Sequence, residues 1–372
     1  MSKTYQLNDS TDNRDSIAEG RPVWIGIDDH KRKFSVVVLG EDDEVLAQQT
    51  HDKKQCHLEG LIERLPGCEI HAVYEAGSTG YQMLRWLEEA GVEEAMMTPP
   101  ALVPTRHGND IKTDRRDAAK LAKCLKAGML DPVYDHGDEG YADRELVRSR
   151  KQLVQHRSQL CQQIRAKLQF HGIEVPDHLV PSSWSKAFLE WLEEGPSERE
   201  RLNTIFETFV EQYRALTAQI RDLEAEMRAM ASEEAYAENV QRLKTAPGVG
   251  LITALVVLVE CGDLERFDNC EEFAAYLGLI PSEHSSGERQ SRGGLVRSGN
   301  KRVQTALIEA SWKAIAEDGR LREVYDRIKA RRGEDGSKIA IVAVARRLGL
   351  ALRAMLRDGQ DYAIGDPSQS AG

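Results

Sequence analysis

The segment 111–122, IKTDRRDAAKLA, sets Asp114 and Asp117 three residues apart among Lys112, Arg115, Arg116 and Lys120. From Asp114 onward the residues favour helix, with no Pro or Gly before Gly128, so both carboxylates share one helix face. Two like charges held that close repel each other unless something positive lies between them. A divalent ion is one answer; a solvated surface helix, capped from Thr113 onward by Asp114, is the other. Two further acids stand at strand ends: Asp28 in VWIGIDD (23–29) and Glu75 in EIHAVYEAG (69–77). Strand ends and a nearby helix can converge at the edge of a sheet, and hard carboxylate oxygens suit Mg2+ or Mn2+. Two such ions, about 4 Å apart, activate water or a hydroxyl and stabilise the leaving oxygen of a phosphodiester. Taken singly, each acid reads as an ordinary surface charge or cap. The order strand-acid, strand-acid, helix D-x-x-D carries more than its parts.

A second constellation lies in EHSSGERQSRGG (283–294), where Ser285 and Ser286 precede Gly287 and Arg289, Arg292, Arg297, Lys301 and Arg302 follow. Serine becomes a nucleophile only when its proton is removed and the developing charge is stabilised. Arginine forks are well shaped to hold the phosphate under attack. Composition alone also fits a flexible linker, with His284 as a base or a bystander. Just upstream, TAPGVGLITA (245–254) ends one helix before Pro247 and starts another after Gly250. Such a turn of small residues can bring backbone N–H groups close to a phosphate.

The bulk composition narrows the function classes. With 372 residues, 30% charged and 41% apolar, the chain has room for two or three domains with proper cores. Its longest apolar run, LITALVVLV (251–259), is far too short to span a membrane. Residues 1–20 carry no apolar h-region and read as a disordered lead-in, matched by a flexible tail at 361–372. Six cysteines without a C-x-x-C pair suit reduced thiols in a cytoplasm and argue against a disulfide framework or a zinc ribbon. The net charge of −11 speaks against nucleic acid until its distribution is read. Residues 281–360 hold 17 Lys and Arg against 10 Asp and Glu, a local +7 that leaves −18 for the rest. That asymmetry permits an anionic ligand on the last region.

The elements that must position these residues fall into three regions. From 21 to 135, strands at 23–29, 34–40, 44–50 and 69–77 alternate with helices near 55–65 and 81–91, and EEAMMTPP adds a short strand, predicting a mixed α/β sheet. In the middle region, 140–236, Phe206, Phe209, Tyr213, Leu216, Ile220, Leu223, Met227 and Met230 step by threes and fours, the a/d spacing of a coiled coil. A weaker apolar pattern over 143–170 precedes it. The seam can close on this helix or on a second subunit, and pairing between subunits is the expectation. The last region, 240–360, reads as all helical around the serine loop, with helices at 303–316, 321–330 and 338–357.

Taken together, IGIDDHKRKFSVVV, VYEAGSTGY, KTDRRDA, TAPGVGLITA and FAAYLGLIPSEHSSGERQSRGGLVRSGNKR resemble, in order, the DEDD transposases of bacterial insertion sequences, the Piv/MooV-like or IS-one-ten group. The resemblance covers about 22–360. It implies an RNase H-like (RuvC-like) α/β domain, a coiled-coil middle and an all-α C-terminal transposase domain. Asp28, Glu75, Asp114 and Asp117 would then form a tetrad holding Mg2+, with Mn2+ as an alternative. Ser286, chosen over Ser285 because it directly precedes Gly287, matches the serine that joins covalently to a DNA 5′ phosphate. Asp29 is set aside because alternation along a strand sends it to the face opposite Asp28. The implied partners are donor and target double-stranded DNA, a structured noncoding guide RNA, and further copies of the chain in a dimer or tetramer joined by the coiled coil. No membrane is implied, and the setting would be the bacterial cytoplasm at the nucleoid. Lys112, Arg115, Arg116, Arg289, Arg292, Arg297, Lys301 and Arg302 are the candidate nucleic-acid contacts. Two other functions share these features: a metal-dependent junction nuclease without serine chemistry, and a non-catalytic nucleic-acid binder.

Overall fold

The structure is a computed structural model that describes residues 16–104, 114–179, 183–286, 289–296, 299–333 and 336–363, with backbone alone at Leu102 and over 282–294. It divides into two compact units that meet in sequence at Asp135 and His136.

The first unit runs β1 (Val23–Asp29), β2 (Lys33–Leu39), β3 (Val45–Asp52), α1 (Gln55–Ile62), β4 (Ile70–Glu75), α2 (Gln82–Glu89), β5 (Glu94–Thr98) and α3 (Asp114–Lys126). The strands form one sheet in the order β3-β2-β1-β4-β5. β1 and β2 pair antiparallel, as do β2 and β3, whereas β1 with β4 and β4 with β5 are parallel. Both faces are covered, so the central strands are apolar at successive positions rather than at alternate ones. Ile25, Ile27, Phe34, Val36, Val38, Ala72 and Tyr74 face α1 and α2, burying Leu58, Leu61, Met83 and Leu87. On the opposite face Val37 and Leu39 meet Ala118 and Ala122 of α3, and Val73 meets Leu121.

Gly26 sets how closely α3 lies on that face. A Cβ there would fall 2.0 Å from the Ala118 carbonyl oxygen and 2.5 Å from the Ala122 nitrogen. Only glycine lets the helix backbone rest on the strand backbone, and the small Ala118 and Ala122 complete the fit. The first turn of α3 is thereby held over the C-terminal end of β1.

The second unit opens with α4 (Gly137–Phe170), α5 (Lys186–Glu193) and α6 (Glu200–Met230). α4 and α6 lie antiparallel: Arg150 pairs with Glu224 at 2.6 Å, Arg157 stands over the Tyr213 ring, and Lys167 over the Phe209 ring. Leu160, Ile164 and Leu168 pack on Phe206 and Val210, with Phe188 and Leu192 of α5 closing the side. The heptad positions of α6 are all buried or half-buried within the chain. Within the chain, α4 lies along this seam. A heptad fixes an apolar stripe but not its partner, and the segment carrying α5 brings α6 back along α4.

There follow α7 (Ala237–Lys244), α8 (Leu251–Cys261), α9 (Cys270–Tyr276), β6 (Pro281–Ser286), β7 (Arg289–Leu295), α10 (Lys301–Glu317), α11 (Gly319–Arg332) and α12 (Gly336–Asp358). One core gathers Leu243, Ala254, Phe273, Leu277, Val303, Leu307, Ala340, Val344 and Leu348. The base of the long pair shares a second core with it, where Val147, Met227 and Met230 meet Val240, Leu255 and Val259. The expectation of an all-helical last region is corrected by β6 and β7, an antiparallel ribbon with Ser286 opposite Arg289 and His284 opposite Ser291. Its sequence lacks the apolar alternation by which strands are recognised, so only the backbone ladder reveals it. None of the six cysteines is paired. Among the described residues no helix is long and apolar enough to cross a membrane.

Candidate active site

Strand alternation sends Asp28 and Glu75 to the face of the sheet on which the helix carrying Asp114 and Asp117 lies. Even-numbered positions of β1 (Trp24, Gly26, Asp28) face α3, and odd-numbered ones face α1 and α2. In β4, Val73 faces α3, so Glu75 points the same way, one residue beyond the Ile27–Tyr74 pairing of the parallel strands. Asp28 and Glu75 thus end adjacent strands on the face that α3 covers. Asp114 and Asp117 occupy the first turn of α3, where the helix dipole offsets part of their mutual repulsion.

The electrostatics register this convergence. Burial pushes the Asp28 carboxyl up, His30 pulls it down, and the charges of Asp114, Asp117 and Glu75 each push it up again. The Asp28 side chain is 15% exposed and that of Asp114 63%, so the cluster opens outward from strand to helix. His30, in the turn after β1, places Nε2 3.2 Å from Asp28 Oδ2 and 3.6 Å from Asp114 Oδ1. Ligand atoms of Asp28, His30 and Asp114 lie within 4.8 Å of one another, close enough to share a metal ion. The donor set fits a divalent cation: hard carboxylate oxygens lie around Asp28, whose proton affinity burial and its acidic neighbours raise, and a positive charge among them offsets that repulsion. Asp29 turns to the other face, where Lys53 Nζ meets its Oδ2 at 2.8 Å and both side chains are buried.

The remaining candidates fall as follows. Arg115 and Arg116 are exposed beside the acids on α3. Lys112 and Arg297 lie outside the described residues. Ser286 ends β6, with Arg289 starting β7 and Arg292 opposite Glu283. At the foot of this ribbon Val296 N–H donates to Ile280, and Lys301 Nζ donates to the Val296 carbonyl at 3.1 Å. Arg302 approaches Glu260 Oε1 at 3.7 Å with its side chain half exposed. The turn at Gly248 presses its backbone on α10, a Cβ there falling 2.2 Å from the Ala310 carbonyl oxygen. Its N–H donates to Glu317 Oε2 at 2.7 Å, so in this structure a carboxylate takes the donor that sequence suggested for a phosphate.

Sequence reasoning passed over two positions. His30 reads as part of the polar turn HKRK, and no spacing rule marks it. Glu260 reads as the polar end of an apolar helix, yet its side chain is 1% exposed and accepts hydrogen bonds from three residues. Arg148 grips it with two bonds of 2.8 and 2.9 Å, while Arg144 and Asn300 each donate at 3.2 Å. Burial alone raises this carboxyl, but Arg148, then Asn300 and Arg144, outweigh burial and hold it down to about 2. Asn300 also caps α10, and Tyr276 donates to the Glu260 carbonyl, so the network ties α4 and α8 to the chain leaving the serine ribbon.

Two family models match the chain. One, a transposase model of the DEDD, IS110 type, covers residues 25–173. The other, described as Transposase IS116/IS110/IS902 family, covers 240–326. The chain is similar to a putative transposase of Sinorhizobium fredii, 31% identical over 80% of this chain and 73% of the relative. It is also similar to a transposase for insertion sequence element IS1111A of Coxiella burnetii, 26% identical over 92% and 91% of the two chains. A transposase for IS1533 of Leptospira borgpetersenii is 28% identical over 67% and 72%. These matches define a DNA transposase. The chain belongs to the IS110 family of insertion-sequence transposases.

Proposed function

We propose that this transposase joins and rejoins DNA through two reacting centres, a divalent-metal site at Asp28, Glu75, Asp114 and Asp117 and a serine nucleophile at Ser286. The observation that carries this reading is the placement of Asp28 and Asp114, with His30, within 4.8 Å of one another, while Glu75 on the adjacent strand end and Asp117 on the same helix turn act on Asp28 as further charges. The sheet order, with two parallel strand ends carrying acids beneath a covering helix, supports an RNase H-like (RuvC-like) domain. Mg2+, or Mn2+ in its place, supplies charge stabilisation at the phosphate and lowers the cost of forming an oxygen nucleophile.

The chain's own residues do the rest. Ser286 Oγ attacks a backbone phosphorus and gives up its proton to solvent or a nearby base. The bond from phosphorus to the 3′ oxygen breaks, and that oxygen leaves as a hydroxyl. The 5′ phosphate stays esterified to Ser286, so the bond energy is kept and a 3′ hydroxyl from another strand can reverse the step. Arg289, Arg292 and Arg297 hold the phosphate, while Lys112, Arg115, Arg116, Lys301 and Arg302 steer the polyanion. Sequence choice is left to a structured noncoding RNA that pairs with donor and target DNA. Copies of the chain assemble so that the serine of one serves the metal centre of another, in the cytoplasm at the nucleoid.

The test is strand exchange between donor and target duplexes by the purified protein with its flanking-element RNA. Activity is expected only with RNA and Mg2+ or Mn2+ both present, and each of Asp28→Asn, Glu75→Gln, Asp114→Asn and Asp117→Asn should abolish it. Exchange that persists in these variants, or without the RNA, refutes the corresponding part. Cleavage that needs the acids but survives Ser286→Ala would instead define a junction nuclease.

A further inference from the structure

We infer that His30 is itself a metal ligand, giving the acidic centre a nitrogen donor and with it a preference for Mn2+ over Mg2+. This rests on the metal reading of the tetrad and adds to it a residue outside the four acids.

Geometry is the first reason. Nε2 stands 3.2 Å from Asp28 Oδ2 and 3.6 Å from Asp114 Oδ1. Donors held about 2.1 Å from one octahedral ion sit about 3 Å from their nearest fellow donors. Nε2 is therefore spaced from each carboxylate oxygen as neighbouring donors of one ion are, and all three ligand atoms lie within 4.8 Å of one another. The second reason is placement. His30 follows β1 directly, and its backbone N–H donates to the Lys33 carbonyl at 2.9 Å, which fixes the turn between β1 and β2. The backbone that carries the ring is thereby held at the edge of the acidic cluster. Third, the ring is half exposed and spans Asp28 on the strand and Asp114 on the helix, the two sides that a bound ion must bridge.

The chemical consequence follows from donor type. Imidazole nitrogen adds little for Mg2+, which readily keeps a water in that position, but it binds the later and softer divalent ions more strongly. Removing His30 should therefore change the selectivity of the site more than its existence.

Calorimetric titration of the full-length protein with Mn2+ and with Mg2+ tests this, alongside pulsed electron paramagnetic resonance of the Mn2+ complex. Wild type should show nitrogen coupling from a directly bound imidazole, and His30→Ala should lose it. The same variant should bind Mn2+ at least about tenfold more weakly while its Mg2+ affinity stays within about twofold. Asp28→Asn should lose both ions. Unchanged or equally weakened binding of both ions in His30→Ala, with no nitrogen coupling in wild type, would overturn the assignment of His30 and leave the tetrad standing. Undiminished binding in Asp28→Asn would overturn the tetrad, and His30 with it.

Discussion

At the scale of single residues, the site is a concentration of like charge that the fold tolerates without gaining from it. Asp28, largely withdrawn from solvent, feels three other carboxylates, with His30 in relief. Such a cluster costs stability in the absence of a cation. Asp114→Asn should therefore raise the thermal midpoint of the metal-free protein, by about 1–3 °C, and remove most of the further rise that Mn2+ gives the wild type. Scanning fluorimetry with and without Mn2+ reads both effects. A lower midpoint in metal-free buffer would mean that Asp114 is held for its structural bonds instead.

At the scale of elements, the decisive contact is that of α3 on β1. Gly26→Ala places a methyl group against the Ala118 carbonyl, and the expected cost is about 3 kcal/mol. Because the shift moves the turn bearing Asp114 and Asp117, Mn2+ affinity should fall with it. Leu61→Ala, a change to a buried side chain on the other face of the sheet, should cost about 2–5 kcal/mol yet leave Mn2+ affinity nearly intact. Denaturant unfolding and calorimetry on the two variants separate positioning from mere stability; equal losses of affinity would contradict this role for α3. Much of this level was legible in the sequence. β-branched runs and Gly-bounded amphipathic stretches marked the strands and helices, and the acids at their ends marked the site. The serine ribbon was not legible, because Ser, Glu and His on β6 and Arg, Gln, Ser and Gly on β7 give no apolar period. Nor was the partner of the α6 seam, because a repeat specifies a stripe and not the surface that meets it. His30 and Glu260 were hidden for a related reason: their roles depend on residues distant in sequence.

At the scale of the whole molecule, acid should weaken the second unit in two stages. His136 is pushed down to about 4, first by burial and then by Arg144 and Arg266. Its unfolded form takes up a proton from about 6.5 downward, so stability is complete above that pH and falls as pH drops toward 4. Glu260, held down to about 2 against 4.5 when unfolded, adds a second loss between those values as its arginine partners are left unpaired. Urea unfolding of the second unit's transition from pH 7 to pH 3 should show both declines. Glu260→Gln should cost about 3 kcal/mol at pH 7 and flatten the lower decline while keeping the upper one. A single featureless decline in both proteins would contradict this division.

In the proposed reaction one chain combines a carboxylate metal centre with a serine that becomes covalently attached to DNA. Its most direct measurement is covalent trapping: protein, flanking-element RNA, Mg2+ and matching end-labelled duplex are mixed, denatured and resolved by mass. The expected result is a labelled protein–DNA adduct that is absent with Ser286→Ala, absent with Asp114→Ala, and mapped by mass spectrometry to a phosphodiester on Ser286. Cleaved DNA with no adduct, or an adduct that persists in Ser286→Ala, would contradict it.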